Sequence, residues 1–410
     1  LPPVTLEELE QLATAHNPTL VQLAMRIRAA QGEQLQAGLY PNPIVGYLGE
    51  EMGQDGQAGK QGAFVAQEFV TGGKFQLNRS ISAHEIHQAQ YAWQAQRQAV
   101  LNDVRTAYVA ALGIERALSL NEQLVRISRE GLKAAEQLRE AKEVGYTDVL
   151  QARIEMEAAE LQWEITRNRR LAAWRRLVAV VGVPDLPLSP LAGALEGGIP
   201  EFNWDTARAR LLAESPLLGE ARAAVERSRC ALARQHAERL PNVTVESFIG
   251  RDNATDDTLA SVQVGLPLPV FNRNQGNIAK AHAQLTAAQQ EVRRIELLLH
   301  DRLAAVFERY ANARQRVEKY NKEILPKAGE ALELTRKGYQ HGEFSYLAVL
   351  TAQRTYFRVN LAYLESLVEL CTSAVAIEGF LLSGGLQAQA EPVGVPEPST
   401  TEGSLTAISP

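Results

Sequence analysis

Two hydrophobic periods organise the chain. In its second half Leu303, Val306, Tyr310, Ala313, Val317, Tyr320 and Ile324 recur at alternating steps of three and four, the seam of a coiled coil. Val104, Ala107, Ala111, Ile114, Leu118, Asn121 and Val125 repeat the seam in the first half, with one polar member. The stretches that carry them, 74–139 and 275–338, contain no proline except Pro326. At ~1.5 Å per residue each predicts a helix on the order of 100 Å long. Helices of that length build a rod or tube, not a compact globule. Their seams are rich in alanine, which allows close approach.

A period of two marks the strands. Val243, Val245 and Ile249 alternate with Thr244 and Glu246 in 242–249, and Ala260, Val262, Val264 and Leu266 alternate with Ser261 and Gln263 in 258–266. Such alternation gives a strand one apolar and one polar face. The segments 43–50 and 62–70 are rougher equivalents, blurred by Gly and Glu. The connections 52–61 and 250–257 have the Gly, Asp and Asn content of hairpin loops.

These elements occur twice, at an offset of about 200 residues. Asn17-Pro18 is matched by Ser215-Pro216, Pro41-Asn42 by Pro241-Asn242, and Tyr146 with Val149-Leu150 by Tyr346 with Val349-Leu350. The order and near-constant spacing indicate a tandem duplication. Residues 1–182 form the first repeat: an initial helix over 5–38, strands 43–50 and 62–70, the long helix 74–139 and a helix over 146–181. A proline- and glycine-containing linker, 183–202, separates it from the second repeat, 203–386. That repeat has its initial helix over 203–239, strands 242–249 and 258–266, the long helix 275–338 and a helix over 344–382. A polar tail, 387–410, is expected to be disordered. The Gly72-Gly73 pair, where a strand passes into a helix, is matched to Gly276 as a backbone bend.

Composition narrows the function. The 410 residues carry 42 Lys+Arg against 48 Asp+Glu, a net charge of −6, which gives no support for nucleic-acid binding. Cys230 and Cys371 are too few for a disulfide framework or a cysteine metal site. No apolar run reaches the ~18–20 residues of a spanning helix; the nearest, 367–386, is interrupted by Glu369 and Glu378. A helical inner-membrane protein is excluded, but a β-barrel is not. The sequence starts at Leu1, as a mature form would after loss of a signal peptide, and shows no nearby cysteine for a lipid. No GxSxG elbow, phosphate loop, HExxH or Cys–His pairing is present, so neither an enzyme nor a cofactor is expected.

Strands of eight or nine residues can cross a bilayer, yet four cannot close a barrel. An open edge in lipid costs several kcal/mol per unpaired backbone group, so transmembrane strands would require several chains to close the sheet. On these segments the chain resembles the TolC-like outer-membrane factors of efflux pumps and type I secretion systems. The resemblance spans about residues 4–386. It is carried by the two X-Pro and two Pro-Asn pairs and above all by Gly342-Glu343-Phe344-Ser345-Tyr346-Leu347, which looks like the family's turn at the periplasmic tip.

The resemblance implies a mainly α protein with a small transmembrane β part. It implies a homotrimer, whose twelve-stranded barrel in outer-membrane lipid continues into a long periplasmic α-helical barrel. The implied partners are a periplasmic adaptor (membrane fusion protein) and an inner-membrane transporter of the resistance-nodulation-division type. The overall likeness leans toward the heavy-metal-efflux branch. Adaptor contact falls on Gly145, Tyr146 and Thr147 in one turn and Gly342, Phe344, Ser345 and Tyr346 in the other. Where some members carry acidic constriction residues past the second turn, this chain has Ala348 and Thr351; Asp148 is the acidic counterpart in the first half. Asp148 is therefore the pore candidate, with a plain helix-start role as the alternative. Arg153 and Arg354 lie just past the turns as surface or partner contacts. His84, Glu85 and His87 open a helix with both imidazoles on one face, but no third ligand is visible and no metal centre is expected. Two other functions share parts of the pattern: a polypeptide-secreting type I channel, and a soluble periplasmic coiled-coil adaptor or scaffold.

Overall fold

The computed structural model describes residues 2–51, 59–341 and 343–387. The tip glycine Gly342, residues 52–58 of the first hairpin loop and 388–410 of the tail lie outside them.

The first half runs α1 (Leu6–His16), α2 (Pro18–Ala37), β1 (Ile44–Glu50), β2 (Lys60–Phe69), α3 (Lys74–Glu140) and α4 (Tyr146–Val181). The second runs α5 (Trp204–Glu214), α6 (Pro216–Ala237), β3 (Val243–Asp252), β4 (Asp257–Gly265), α7 (Gln275–Lys319), α8 (Leu325–Gln340) and α9 (Tyr346–Glu378). The initial helix expected in each half is two helices. The break falls at Asn17 and Ser215, whose ψ of 121° and 123° are extended, because a following proline disfavours the helical region for the residue before it. Asn17 is fully buried and caps α2, accepting the Thr19 N–H at 3.0 Å while donating to the Val180 carbonyl at 3.1 Å.

The second long helix is continuous across Pro326 by means of one π turn, Tyr320–Ile324. There the Leu325 N–H reaches the carbonyl of Tyr320, which widens the turn where the proline ring would crowd it. The last helix, expected over 344–382, is shorter. Asn102 donates to the carbonyls of Gly379 and Leu382 at 2.8 and 2.9 Å, and Asp103 accepts the N–H groups of Gly384 and Gly385 at 3.0 and 2.7 Å. These bonds draw the chain off the helix and fasten it to α3.

The seam residues Leu303, Val306, Tyr310 and Ala313 are buried, in a core shared with Leu211, Leu218, Leu370 and Ile377. The first-half core gathers Val104, Tyr108 and Ala111 with Trp174, Leu177 and Leu367. The polar seam member Asn121 is buried and donates to the Thr166 hydroxyl on α4 at 2.8 Å. A duplicated anchor holds the linker. Tyr108 donates to the Ala192 carbonyl, and Tyr310 donates to that of Pro200 at 3.0 Å while accepting the Phe202 N–H at 3.2 Å. Helix α9 is the one described helix apolar enough to span a membrane, but Leu364, Leu367 and Leu370 of it pack into these cores.

Removing one core contact tests the seam. Leu303→Ala, at 1% exposure, is expected to cost about 2–5 kcal/mol. Denaturant unfolding followed by helical circular dichroism measures this, and a loss under about 0.5 kcal/mol contradicts the seam.

Candidate functional site: the sheet faces and the helical tips

The four strands form one antiparallel sheet in the order β1-β2-β3-β4. Pairing of β2 with β3 joins the two halves, and β1 and β4 are left as open edges. The register sorts the side chains. One face carries the cross-strand rows Val45–Val65–Ser247–Val262, Tyr47–Ala63–Ile249–Ala260 and Gln67–Val245–Val264. Its large members are exposed: Val45 at 73%, Ile249 at 62% and Val262 at 71%. The other face is mixed, carrying Ile44–Ala66–Glu246–Gln263, Leu48–Gly62–Gly250–Leu259, Glu68–Thr244–Gly265 and, at its far end, Glu50–Lys60–Asp252–Asp257.

The glycines that blur the first-half alternation have a reason on this second face. A methyl on Gly46 would come within 2.4 Å of the Phe64 ring, and one on Gly250 within 2.5 Å of the Phe248 ring. The two rings lie against glycine backbone and so occupy little space on this face.

Where the sheet meets the helices, the positive-φ residues are Gly72, Gly73 and Asn274 (φ 70°, 67° and 59°). The counterpart of Gly73 is thus Asn274, each preceding its long helix, and not Gly276, which lies within the first turn of α7. Asn274 tolerates the left-handed conformation better than most residues and donates to the Gln235 carbonyl at 2.8 Å. Next to Gly73 sits Lys74, 2% exposed. Its ammonium donates to Asn242 Oδ1 at 2.7 Å and lies 3.5 Å from Glu238. Arg234 and Lys74 together hold the Glu238 carboxyl below its ordinary range, against the opposing effect of burial, which is the largest single influence. Sequence patterning did not mark Lys74; it looked like an ordinary helix-start lysine.

At the opposite end of the long helices are the two turns. The first closes with Lys142 at φ 61°; its N–H reaches the Arg139 carbonyl and that of Glu143 the Leu138 carbonyl, both at 2.9 Å. This is a Schellman closure with lysine where glycine is usual. In the second turn the Glu343 N–H reaches the Gly338 carbonyl at 2.8 Å. The helices that follow are capped in complementary ways. Asp148 Oδ2 accepts the Gly145 N–H at 3.0 Å, whereas the Ser345 hydroxyl accepts the Ala348 N–H at 3.4 Å. Each turn holds one half of a capping box: an acid at N3 with glycine at the cap, or serine at the cap with alanine at N3.

Further contacts follow the duplication. Arg139 lies 4.3 Å from the centre of the Tyr146 ring, and Tyr339 packs on Tyr346 with centroids 5.9 Å apart. Tyr346 also packs against Ala135, Val149 and Ala152 of the first hairpin, so it ties the two hairpins together. Burial, then neighbouring Tyr339, pushes its phenol up to about 12. Tyr339 is raised by burial and then by the Asp148 and Glu143 carboxylates. Arg153 pairs with Glu136 at 3.3 Å inside the first hairpin, while Arg354 reaches across to Glu155 at 2.9 Å. Ala348 and Thr351 line a groove of about 510 Å³ between α8 and α9 with Phe344, Leu347 and Thr335. Tyr146 and Thr147 are exposed. Asp148 is not among the residues that line the groove. Tyr339, Arg139 and Glu155 were not anticipated. The repeat offset that aligns Tyr146 with Tyr346 also aligns Arg139 with Tyr339, and would have found both. Among the described residues no group of three or more His, Cys, Asp or Glu is placed to hold a metal ion.

The sheet is open at both edges and is mounted on helices on the order of 100 Å long. The chain belongs to the outer membrane efflux protein family, whose sequence model matches residues 9–183 and again 207–381. It is 27% identical to the cobalt-zinc-cadmium resistance protein CzcC of Cupriavidus metallidurans over 92% of this chain and 90% of that protein. The nickel-cobalt-cadmium resistance protein NccC of Alcaligenes xylosoxydans is 24% identical over 72% and 67%. Among solved structures, the outer-membrane channel OprN superposes with a TM-score of 0.77 at 20% identity, over 93% of this chain and 90% of that one. The chain is thus an efflux channel of the bacterial outer membrane with a large periplasmic helical portion.

Asp148 has two separable roles, charge and cap. Asp148→Asn keeps the cap acceptor and Asp148→Ala removes both. If the charge lies on the ion path, both lower the cation preference of single channels in planar bilayers, and only the alanine variant makes the 141–148 turn more sensitive to protease. An unchanged reversal potential under a salt gradient in both variants leaves Asp148 as a cap alone.

Proposed function

We propose that three copies of this chain close into one duct that exports divalent metal cations from an inner-membrane transporter, through a periplasmic adaptor, to the outside. The reading of the assembly rests on the two unpaired sheet edges. In lipid they demand partners, and β4 of one copy beside β1 of the next supplies them. Helix α4 supports it, since Leu150, Ile154, Leu161 and Ile165 form an exposed apolar stripe along that helix. Such a stripe fits a neighbouring copy. In this reading repeats 1–182 and 203–386, joined by 183–202, each supply half of a chain's share of the wall. The turns at Gly145–Thr147 and Phe344–Tyr346 meet the adaptor, and the transporter is of the resistance-nodulation-division type.

The observation that carries the cargo is the match to CzcC, a protein named for cobalt, zinc and cadmium resistance, over nearly the whole of both chains. Conduction is passive, because the energy comes from the transporter.

Mass photometry in mild detergent is expected to give three times the 45.0 kDa of the chain; a monomer overturns the shared barrel. In a bacterium lacking its own metal-efflux outer-membrane channel, the gene with its neighbouring transporter genes is expected to restore growth on cobalt, zinc or cadmium. Restored tolerance to organic drugs with none to metals overturns the cargo.

A further inference from the structure

The geometry points to an open divalent-metal site on α3 formed by His84 and His87, a two-imidazole chelate whose remaining positions are filled by water. The two residues stand three apart on one helical face, and their ring centroids are 5.8 Å apart. Two imidazoles bound to one ion at ~2.1 Å place their ring centres about 5 Å apart at a tetrahedral angle, and further apart as that angle opens. The observed ring spacing is therefore within the range for one shared ion, with each ring turning a nitrogen toward it.

The surroundings leave both rings available. Neither imidazole has a hydrogen-bond or ion-pair partner among the described residues, and their contact is with each other. His87 is exposed and His84 half-buried. Glu85, between them in sequence, turns to Arg227 on α6 at 3.9 Å, so it takes no part in the chelate. Imidazole suits zinc, cobalt, nickel and copper alike. Two protein ligands with an otherwise aqueous shell bind more weakly than the closed four-ligand sites that retain zinc. The site sits roughly 15–20 Å along α3 from the sheet and is repeated in every copy. A weak, exchanging site of this kind would hold a passing metal ion without trapping it. Its use in export rests on the metal-cargo reading; its existence does not.

The test uses the purified full-length channel in detergent, with Cu(II) as the spectroscopic probe and Co(II) for titration. The wild type is expected to bind one Cu(II) per chain beyond the background of the other histidines, with spin-echo modulation from two imidazole nitrogens on one ion. His84→Ala/His87→Ala is expected to abolish that component, and either single variant to weaken Co(II) binding at least tenfold. Should the double alanine variant fail to assemble, His84→Gln/His87→Gln keeps polar side chains of similar reach and serves in its place. Identical titrations and two-nitrogen modulation for wild type and variant overturn the site, as does a wild type without the two-nitrogen signal. Metal tolerance in cells is scored separately. Binding without conferred tolerance supports the site and counts against the cargo, whereas tolerance without binding does the reverse.

Discussion

The structure depends on the unpaired backbone of β1 and β4. Every other strand pairing is satisfied within the chain, from Ile44↔Ala66 on one side to Asp252↔Asp257 on the other. In water the two edges would be solvated. In hydrocarbon each free N–H and C=O costs several kcal/mol. The sheet's apolar face asks for lipid, and lipid forbids its edges. The proposed barrel, shared between copies, resolves the conflict. It also explains why the apolar stripe of α4 stays bare in a single chain, since helices that continue from a shared barrel lie beside those of the next copy.

Duplication supplies the two halves, but small polar differences give them separate work. At the sheet the pairing of β2 with β3 is internal, and beneath it the buried Lys74 is held by Asn242 and by Glu238, whose carboxylate reaches the surface. At the tips the same capping requirement is met by Asp148 in one turn and by Ser345 in the other. Only the first of the two caps is itself a carboxylate. Lack of an acid at Ala348 thus need not weaken its helix.

Much of this was legible in sequence, for definite reasons. Leucine, valine and tyrosine at steps of three and four can be satisfied only by a long seam, and the seam is there from Leu303 to Ala313. The Pro-Asn pairs stand just before the strands, and the alternation in 258–266 survived because β4 has few glycines. What was missed turned on atoms that a hydrophobic pattern does not weigh. Asn17-Pro18 and Ser215-Pro216 read as repeat markers in a hydrophobic pattern, whereas each proline also bars the helical region to the residue before it and splits the initial helix in two. Gly46 obscures the first strand because the Phe64 ring of its partner occupies its face, and Gly62 the second because the Ile249–Gly250 backbone lies against it, neither of them visible in a single strand's sequence. The last helix ended early because Asn102 and Asp103, far away in sequence, compete for its backbone groups. Gly276 was matched to Gly73 by residue type, although the requirement was a left-handed backbone that Asn274 also meets.

The contrast between the two strand-to-helix junctions follows from the same constraint. Lys74 is buried, whereas its counterpart in the repeat, Gln275, is exposed and bonds only to nearby backbone, accepting the Arg273 N–H at 2.8 Å. A buried ammonium is tolerable only when partners hold it. Beneath β2 and β3 those partners belong to the same chain and are in place as soon as it folds. Beneath β4, an edge strand within the chain, the proposed assembly would bring β1 of another copy, so any partner would arrive only on assembly, and a buried charge there would penalise every unassembled chain. A neutral, solvated residue at Gln275 avoids that penalty. In the proposed assembly the duplicated halves therefore differ where one junction is completed by folding and the other by assembly.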